Sequence, residues 1–556
     1  MIAARLSDSD TLADLFLATA DAHPDVVALR SHETGAEVTY SQAKARVGQI
    51  AGRLRELGVR PGEPVALMLR NRPEFHLVDT AAMMLGAVPF SLYNTAAPDQ
   101  LANVLSDAGV RTVVTSAEFT GVLEAARGSA PSVERLVLVD AGPGVAGDHD
   151  GGDAKNTDDY DDLVAELAAE HTDFDFSAAG SITADDLLTL IYTSGTTGPQ
   201  KGVELTHAGM LTQLRGVHAA IPLPGLGRQI SFLPAAHVAD RWTSHYSGFM
   251  AYGNTVTCVA DMAALPTALV QTRPTLFGAV PRVWEKFKAA LEDGYPGDVV
   301  ADALTNPSVA EALRAKLGLD QARWVVTGAA PTPRGVLEFF TALGLPLCEM
   351  LGMSEVSCCV ATNTPDAFRL GSVGQPLDTV EVRIADDGEV SVRGPQVMRG
   401  YRGAPEKTAE ALDDEGWLAT GDIGRLDEDG FLWIVDRKKE LIINSAGKNM
   451  SPAAIEMAIR SAGNAISHVA VIGDRRRYNV ALVVADPERA DEEDLAAAVQ
   501  EQIDRANATL SRVEQIKKFT LLPRDWRPGH ELTPTMKLRR RVVDELYAAE
   551  IEELYA

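Results

Sequence analysis

The chain has 556 residues, and its 51 Lys and Arg residues against 78 Asp and Glu residues give a net charge of −27. This charge argues against a nucleic-acid-binding protein, which needs a net basic surface. Hydrophobic residues make up 46% and charged residues 23%, which excludes a disordered, collagen-like or coiled-coil chain. The length is that of about three to four domain-sized units.

The cysteines and the N-terminus bear on the compartment. The four cysteines, Cys258, Cys348, Cys358 and Cys359, have neither metal-ligand spacing nor the pattern of a disulfide framework. This usage favours a reducing cytoplasm. The N-terminal segment MIAARLSDSDTLADLF carries acids where a signal peptide would be apolar, and no apolar stretch approaches the ~18 residues that span a bilayer. We therefore expect a soluble cytoplasmic protein.

From residue 25 to about 140, short β-branched runs alternate with helical patterns. The run VVALR is followed by VTY, by a helix from a cap at Ser41 to Gly58, and by the strand PVALML. This alternation predicts a parallel or mixed sheet covered by helices. Residues 141–162, rich in Gly and Asp without periodicity, are predicted to form a solvated surface loop rather than a metal site.

The alternation resumes at Asp186 and continues to about Leu351, where shorter strands and turns replace it. After about residue 437 the runs PAAIEMAIR, HVAVIGD, NVALVVA and EDLAAAVQEQIDRAN give a helix–strand–strand–helix order. We predict an α/β protein with a large N-terminal domain of helix-covered mixed sheets plus a β-subdomain, and a small α+β C-terminal domain. The boundary is placed near Asp436, in the turn after FLWIVD, which gives domains 1–436 and 437–556.

The most informative stretch is LLTLIYTSGTTGPQKGVELTH, residues 187–207. An apolar strand runs into a loop with four hydroxyl side chains, two glycines and Lys201. Glycines turn backbone N–H groups toward a phosphate, hydroxyls add donors, and lysine adds positive charge. The spacing does not fit the G-x-x-x-x-G-K-[ST] loop. A polar hairpin loop is the alternative to a phosphate-binding loop.

This stretch resembles the phosphate loop of the acyl-adenylate-forming superfamily, which includes acyl-CoA synthetases, luciferases and peptide-synthetase adenylation domains. Five further segments match that family's motifs in its order. They are similar to its adenine loop (GAAP, 328–331), second nucleotide motif (LGMSE, 351–355), ribose-binding strand end (TGD, 420–422), hinge with the following loop (DRKKELIINSAGKNMSP, 436–452) and catalytic lysine segment (PTMKLRR, 534–540). Six motifs in one order are far more specific than one.

The resemblance implies ATP, Mg²⁺ and coenzyme A as ligands. By it, Thr196 and Glu355 hold Mg²⁺, a cation that suits oxygen ligands. Asp422 accepts the ribose hydroxyls with Arg437 beside it, and Lys537 bridges the substrate carboxylate and the α-phosphate. The implied catalytic residues are Lys537, His237, Glu355 and Arg437. The implied nucleotide and cofactor contacts are Thr193, Ser194, Gly195, Thr196, Thr197, Gly198, Lys201, Gly328, Ala329, Ala330, Leu351, Gly352, Met353, Ser354, Asp422, Arg437, Lys439, Gly447 and Lys448.

The segment FLPAAHVADRW, residues 232–242, is similar to the LPLxHxxxR-type segment of long-chain fatty acyl-CoA synthetases. That likeness implies that His237 positions the acyl group; a hydrogen-bonded core histidine is the alternative. Trp242 either lines or gates an acyl tunnel, or is an ordinary packed tryptophan.

The family transfers the acyl group to a thiol after its C-terminal domain rotates about a hinge. The match places the hinge at Lys439 and a pantetheine-lining loop at residues 445–449. The arginines at 475–477 either meet coenzyme A phosphates or form a solvated turn.

Three positions depart from the family's pattern. Pro199 stands one place early in the phosphate loop, Leu351 replaces an aromatic residue that often stacks on adenine, and Lys448 replaces a glutamate. None of these departures removes a charged catalytic group.

We expect an ATP-dependent acyl-CoA synthetase acting on a fatty acid, which the resemblance implies is long-chain, that forms acyl-AMP and then acyl-CoA. Two alternatives remain open: an acyl-AMP ligase that delivers the acyl group to a carrier protein, and a non-catalytic nucleotide- or lipid-binding relative. Transient membrane contact would have to overcome the net charge of −27. The sequence leaves acyl chain length and oligomeric state open.

Overall fold

The computed structural model describes residues 2–139, 160–162, 174–193, 200–445, 448–489, 494–527, 529–533 and 537–556. It confirms the predicted α/β class, with a large N-terminal region and a small α+β region at the C-terminus. Most of the predicted loop 141–162 lies outside the described residues. Its end, Tyr160–Asp162, is a strand at a sheet edge. That part of the prediction was wrong, because an edge strand pairs through its backbone and needs no apolar pattern.

The first sheet is parallel throughout, in keeping with the largely buried and apolar character of its first four strands. Its strands in spatial order are Val88–Ser91, Pro64–Met68, Thr112–Thr115, Arg135–Leu138 and Tyr160–Asp162. A second, mixed sheet has the order Arg228–Ser231, Thr255–Cys258, Val27–Ser31 and Glu37–Thr39, with only the last strand antiparallel.

The helix after this last strand begins two residues earlier than predicted. It spans Tyr40–Glu56 with Thr39, not Ser41, as its N-cap. The Thr39 hydroxyl accepts from the Gln42 N–H, and the Gln42 side chain accepts from the Thr39 N–H. This reciprocal pair is a capping box, which requires Gln or Glu three residues after the cap.

Three further sheets complete the N-terminal region. One joins the parallel strands Leu276–Ala279, Trp324–Gly328 and Leu347–Met353 to the antiparallel strands Cys358–Thr362 and Gln375–Pro376. An antiparallel sheet contains Gly400–Tyr401, Lys201–Thr206 and Leu187–Thr193. The predicted β-subdomain is the antiparallel sheet Glu381–Ile384, Glu389–Arg393, Leu418–Leu426 and Leu432–Arg437.

The C-terminal region has a three-stranded sheet with an apolar core on each face. Its strands are Ile466–Ile472, Asn479–Ala485 and Ile516–Leu522, and a small ribbon pairs Ile442–Ile443 with Asn449–Met450. Alternate residues face opposite cores, so that Val469 and Val471 pack on one side and Ala470 on the other.

The turn predicted to follow FLWIVD is formed by residues 438–440. Asp436 lies just before it, buried in the strand Leu432–Arg437. Its carboxylate accepts hydrogen bonds from the Ser451 hydroxyl and from the Ala453 N–H, 3.2 Å away. Asp436 therefore holds the first helix of the C-terminal region against this strand. The domain division at 436 and 437 stays a prediction.

The helices cover the sheets and link their strands. The α-helices are Ile2–Asp8, Leu12–Ala22, Tyr40–Glu56, Pro73–Met84, Pro98–Ala108, Thr120–Arg127, His207–Ala220, Val238–Asp240, Leu265–Thr272, Pro281–Asp293, Val299–Thr305, Pro307–Lys316, Arg334–Ala342, Pro405–Ala411, Pro452–Ser461, Leu495–Thr509, Arg540–Leu546 and Ala548–Tyr555. Arg241–Ala251 is a π-helix. Short 3₁₀ helices are Ala117–Phe119, Phe176–Ser181, Met262–Ala264, Ser354–Val356 and Pro487–Arg489. Among the described residues, none of the helices has the length and apolar character to cross a bilayer.

Candidate active site

Two of the predicted nucleotide segments meet at the carboxyl end of one sheet. The strands Trp324–Gly328 and Leu347–Met353 are adjacent and parallel, so the residues at their carboxyl ends lie side by side. Such an end is where open α/β sheets bind ligands. The predicted adenine-loop residues Ala329 and Ala330 follow the first strand directly, and Leu351, Met353 and Ser354 belong to or follow the second.

The backbone in these segments is closely packed. A Cβ on Gly352 would lie 2.0 Å from the Cys358 carbonyl oxygen, so a larger residue does not fit there. Ala329 has a φ of +68°, a conformation that residues other than glycine adopt uncommonly. Local strain of this kind is often found at functional sites.

The predicted phosphate loop connects two antiparallel strands. Leu187–Thr193 pairs with Lys201–Thr206, with Thr193 opposite Lys201. Residues 194–199, which join these two strands, lie outside the described residues, so the phosphate-binding loop stays a prediction beside its polar-hairpin alternative. Five of the predicted phosphate-loop contacts lie outside the described residues; they are Ser194, Gly195, Thr196, Thr197 and Gly198.

Lys201 and Glu355 meet through Tyr401, which the sequence reasoning missed. The Lys201 Nζ lies 4.5 Å from the Tyr401 ring centroid, and the Tyr401 hydroxyl donates to Glu355 Oε1 over 2.9 Å. Burial lowers the pKa of Lys201, as does Lys407, while Glu355 raises it. The single Tyr in RGYRG offered no local signal, because its role depends on a strand pairing with Lys201–Thr206.

Asp422 and Arg437 form a cross-strand ion pair in the β-subdomain. They are register partners, and Arg437 Nε lies 3.0 Å from Asp422 Oδ1. Arg437 Nη1 also donates to the Thr420 carbonyl over 2.9 Å. Burial raises the pKa of Asp422, and Arg437 and Lys537 act in the opposite direction. The predicted pair is therefore assembled, with its guanidinium half-exposed.

We call the space bounded by Glu355, the Asp422–Arg437 pair and Lys537 the cleft. Lys537 brings its charge there from the C-terminal region. Its loop is closed by Thr533, whose N–H donates to the Lys537 carbonyl over 2.8 Å and whose hydroxyl accepts from the Lys537 N–H over 3.0 Å. The side chain keeps accessible surface, but surrounding protein atoms withhold water from the ammonium and lower its pKa.

The charges acting on Lys537 come from three other segments. Arg437 lowers its pKa further, whereas Asp422, Glu440 and Glu355 raise it. The structure therefore brings together four groups that the resemblance assigned to catalysis or nucleotide binding. Glu440 is an addition that the sequence reasoning did not single out.

His237 stands next to this cluster as a neutral ring. It caps the short helix Val238–Asp240, and its Nδ1 accepts from the Ala239 N–H over 3.1 Å. Burial, and then Lys537, lower the pKa of His237 to about 4. Since Nδ1 is an acceptor, the proton of the neutral ring lies on Nε2. His237 can thus donate a hydrogen bond at neutral pH.

The remaining predicted contacts are more scattered. Lys439 is exposed in the turn 438–440, and its charge acts on Lys201. The Lys448 N–H donates to Asn444 Oδ1 over 3.0 Å, and Gly447 lies outside the described residues. Of the arginines at 475–477, the middle one, Arg476, is ion-paired with Glu552 and stacks on a tyrosine.

Trp242 lines a cavity of about 310 Å³. Its lining includes the apolar or aromatic residues Val217, Leu223, Tyr252, Leu276 and Trp324 and the polar residues Arg228, Asn254, Gln321 and Arg323. The Trp242 indole Nε1 is buried and has no hydrogen-bond partner among the residues that the structure describes. Leu276 and Trp324 begin their strands, so the cavity lies at the end of the sheet opposite the nucleotide segments.

A fully buried charged cluster, which the sequence reasoning missed, anchors the π-helix that carries Trp242. Arg241 pairs with Asp79, and His245 Nε2 lies 2.9 Å from the other Asp79 oxygen. Arg241 Nη1 also donates to the Ser91 hydroxyl over 3.0 Å. Burial raises the pKa of Asp79, but Arg241 and His245 outweigh it and lower the pKa overall. We call Asp79, Arg241 and His245 the interior cluster.

Comparisons with known proteins identify the family of the chain. The AMP-binding enzyme family matches residues 16–402, and the AMP-binding enzyme C-terminal domain matches residues 439–556. A putative fatty-acid–CoA ligase of Mycobacterium tuberculosis is 43% identical over 71% of this chain and 78% of its own. A long-chain-fatty-acid–CoA ligase of Mycobacterium bovis is 35% identical over 93% of this chain and 92% of its own.

Solved structures show the same fold. The adenylation domain of a carboxylic acid reductase from Segniliparus rugosus, in complex with AMP and a co-purified carboxylic acid, is 21% identical with a TM-score of 0.79, covering 100% of this chain and 95% of that one. A Mycobacterium tuberculosis fatty acyl CoA synthetase is 25% identical with a TM-score of 0.67, covering 97% and 99%. The family match spans most of the sequence, and the chain belongs to the AMP-binding enzyme family.

Proposed function

We propose that this protein is an AMP-forming fatty-acid–CoA ligase. The observation that carries the proposal is the convergence on Lys537 of charges from Arg437, Asp422 and Glu355, with His237 beside it. These groups come from distant parts of the chain, and an ammonium among them suits the neutralisation of charge that develops at a phosphate. The relatives described as fatty-acid–CoA ligases support the same reaction.

In the first half-reaction, a carboxylate oxygen of the fatty acid attacks the α-phosphorus of ATP. The bond from that phosphorus to the oxygen bridging to the β-phosphate breaks, and pyrophosphate leaves with the electron pair. Two anions must approach each other, so catalysis depends on positioning and on positive charge. Lys537 supplies that charge at the α-phosphate and carboxylate, and the Nε2–H of His237 orients the carboxylate.

The nucleotide is held by the other groups of the cleft. Asp422 accepts the ribose hydroxyls, with Arg437 keeping the carboxylate ionised and in place. Lys201 neutralises phosphate oxygens.

Mg²⁺ fits the oxygen-rich end of this cleft. Glu355 offers a carboxylate that Tyr401 orients through one oxygen, and Thr196 is the second ligand by resemblance. No group of three or more His, Cys, Asp or Glu suited to a metal occurs in the described part of the chain. This suits Mg²⁺, which proteins often bind through one or two carboxylates together with substrate phosphates. When bound, the ion supplies charge neutralisation.

In the second half-reaction, the thiol sulfur of coenzyme A bonds to the acyl carbon. The bond from that carbon to the phosphate oxygen breaks, AMP leaves, and the thiol proton passes to solvent. The thiol needs access that Lys537 obstructs when it lies in the cleft. A rotation of residues 437–556 against 1–436 about Lys439 would give that access, and residues 445–449 would then line the pantetheine path.

A long acyl chain is the preferred substrate in this proposal. The cavity beside Trp242, at the end of the sheet remote from the nucleotide, offers apolar side chains such as Val217, Leu223 and Leu276 in a lining that also includes Arg228, Asn254 and Arg323. Each methylene buried there gains roughly 0.8 kcal/mol, so longer acids bind more tightly until the space is filled. The four cysteines are free and buried, which supports the predicted reducing, cytoplasmic location.

The test is ATP–pyrophosphate exchange with carboxylic acids from acetate to stearate, repeated with coenzyme A to detect thioester. Exchange that rises with chain length, together with thioester, is expected. Exchange without thioester would favour the carrier-protein acyl-AMP ligase. The absence of exchange with every acid would contradict the proposal and favour a non-catalytic relative.

A further inference from the structure

Arg540 lies three residues after Lys537, and its guanidinium is held by two carboxylates. Its Nη1 and Nη2 lie 2.6 and 2.7 Å from the two oxygens of Glu456, and its Nε lies 3.1 Å from Glu440 Oε2. The three side chains are largely buried, each retaining at most 24% of its accessible surface. A bidentate contact plus a third bond fixes the guanidinium in one orientation.

The two carboxylates belong to segments with different roles. Glu456 lies on the helix Pro452–Ser461 and also accepts from the Val471 N–H over 2.8 Å, so it is part of the C-terminal region's framework. Glu440 ends the turn that follows Arg437, and its N–H donates to the Arg437 carbonyl over 3.0 Å. Arg540 therefore joins that framework to the turn that contains the predicted hinge residue.

A short path of contacts leads from the nucleotide side of the cleft to Lys537. Asp422 is paired with Arg437, the Arg437 carbonyl is bonded to Glu440, and Glu440 is paired with Arg540. From Arg540 the chain reaches Lys537 in three residues. The ammonium must stand at a fixed place relative to Arg437, and a misplacement of about 1 Å in a catalytic group costs up to ~10²-fold in rate.

We propose that Arg540 is a positioning residue for Lys537, which through Glu440 and Glu456 sets the place of the lysine loop relative to the Asp422–Arg437 pair. This inference rests on the proposed role of Lys537 in adenylation. Arg540 does not touch the reacting atoms and acts only through the lysine.

The neighbouring arginines make the assignment specific to Arg540. Arg539 donates from Nη1 to the Gly529 and His530 carbonyls, within its own loop. Arg541 is exposed and paired with Glu545 one helical turn away. The three consecutive arginines thus make three different contacts: Arg539 binds its own loop, Arg540 binds the hinge turn, and Arg541 forms a surface ion pair. In sequence they resemble an ordinary run of solvated charges.

The experiment compares Arg540→Lys, with Arg541→Lys as matched control, in the full-length enzyme. Lysine keeps the positive charge but loses the planar fork that binds Glu456 and Glu440 together. We expect the kcat of ATP–pyrophosphate exchange to fall about 10- to 100-fold, with KM for ATP within about twofold of wild type. Arg541→Lys should retain the wild-type rate. An unchanged kcat in Arg540→Lys, or an equal loss in Arg541→Lys, would overturn the inference.

A double-mutant cycle with Lys537→Ala separates positioning from a general effect on the fold. If Arg540 acts through Lys537, Arg540→Lys costs nothing further in the residual single-turnover rate of Lys537→Ala. An equal further loss in that background would contradict the inference. If Lys537→Ala formed acyl-AMP at the wild-type rate, the proposed role of Lys537 would be overturned, and the positioning role of Arg540 with it. Failure of the proposed function is thus distinguished from failure of the positioning role alone.

Glu440→Gln provides a second, milder variant in case Arg540→Lys folds poorly. It leaves the bidentate Arg540–Glu456 pair in place and weakens only the link to the hinge turn. We expect a smaller loss of kcat that is likewise absent in the Lys537→Ala background. A loss that persists there would count against positioning through the lysine.

Discussion

The protein contains two charged clusters that differ in what surrounds them. In the interior cluster, Arg241 and Asp79 have 0% side-chain exposure. In the cleft, Arg437 keeps 47% exposure and Asp422 11%. The interior charges are bonded to fixed protein partners, whereas the cleft charges remain open on one side to a ligand. The same Arg–Asp chemistry therefore serves structure in one place and, in the proposed function, nucleotide binding in the other.

The difference has an energetic basis. Removing two charges from water is costly, and their attraction repays the cost only when the remaining bonding groups are also satisfied. Arg241 meets that condition through Asp79, Ser91 and the Pro89 carbonyl. Arg437 has the carboxylate of Asp422 and the Thr420 carbonyl, and solvent reaches the rest of it. Substitutions in the interior cluster should therefore lower the stability of the fold, whereas substitutions in the cleft should lower ligand binding or activity.

The largest expected effect on activity is that of Lys537→Ala. Removing the ammonium that stabilises charge at the α-phosphate should lower the rate of acyl-AMP formation by about 10²- to 10³-fold. The affinity for ATP and the melting temperature should change little, since the side chain is accessible. Lys517→Ala, at an exposed lysine of the same region, is the control. A wild-type rate of exchange in Lys537→Ala would show that the cleft cluster is not catalytic.

Asp79→Asn and Asp422→Asn compare the two clusters directly. Asp79→Asn leaves the buried charge of Arg241 without its counterion, and breaking such a pair costs roughly 3–5 kcal/mol in the free energy of unfolding. Asp422→Asn should cost no more than about 1 kcal/mol, because water can solvate Arg437. It should instead weaken ATP binding about tenfold or more, as a hydrogen bond to a charged group contributes roughly 1.5–3 kcal/mol.

Denaturant unfolding and ATP titration of both variants test this comparison. If Asp422→Asn were the more destabilising of the two, the division into a structural and a binding cluster would be wrong. The same conclusion would follow if Asp79→Asn weakened ATP binding without loss of stability.

A third comparison uses the cavity beside the π-helix that the interior cluster anchors. Val217→Phe places a larger side chain in the cavity lined by Val217 and Trp242. Each methylene that no longer fits forfeits roughly 0.8 kcal/mol, so kcat/KM for long acids should fall about tenfold or more relative to medium-length acids. Val513→Phe, at an exposed position, should leave the preference unchanged. An unchanged chain-length profile in Val217→Phe would show that the acyl chain lies elsewhere.

The two clusters also differ in how far the sequence revealed them. Asp422, Arg437 and Lys537 stand in short motifs whose order identified them. Asp79 and Arg241 are 162 residues apart, and in the sequence Asp79 looks like a polar residue on an apolar helix. No local pattern reports that pairing, because it depends on how the helix Pro73–Met84 packs against the π-helix.

Helices and strands were predictable where the spacing of apolar residues indicated them. The strand–helix alternation and the helix–strand–strand–helix order near the C-terminus were both confirmed. The cap at Thr39 was missed although its partner Gln42 stands three residues later, which is a readable signal. The roles of Tyr401, Glu440 and Arg540 were not readable, since each is set by a contact with a residue far away in the chain.

The smallest expected effect concerns the pH dependence of the cleft. Lys537 acts as a cation, and burial and Arg437 lower its pKa while Glu440 raises it. Removing the Glu440 charge in Glu440→Gln therefore lowers that pKa further. Lys537 then loses its proton at a lower pH, so the alkaline fall in the rate of acyl-AMP formation should move to lower pH.

The histidine beside Lys537 does not contribute to this fall. His237, with a pKa of about 4, is neutral throughout this range. Arg540→Lys should lower the rate without moving the alkaline fall, because it retains the positive charge beside Glu440. Glu545→Gln, in the exposed pair with Arg541, is the matched control and should change neither. A fall that stays in place, or moves to higher pH, in Glu440→Gln would mean that Lys537 does not govern it.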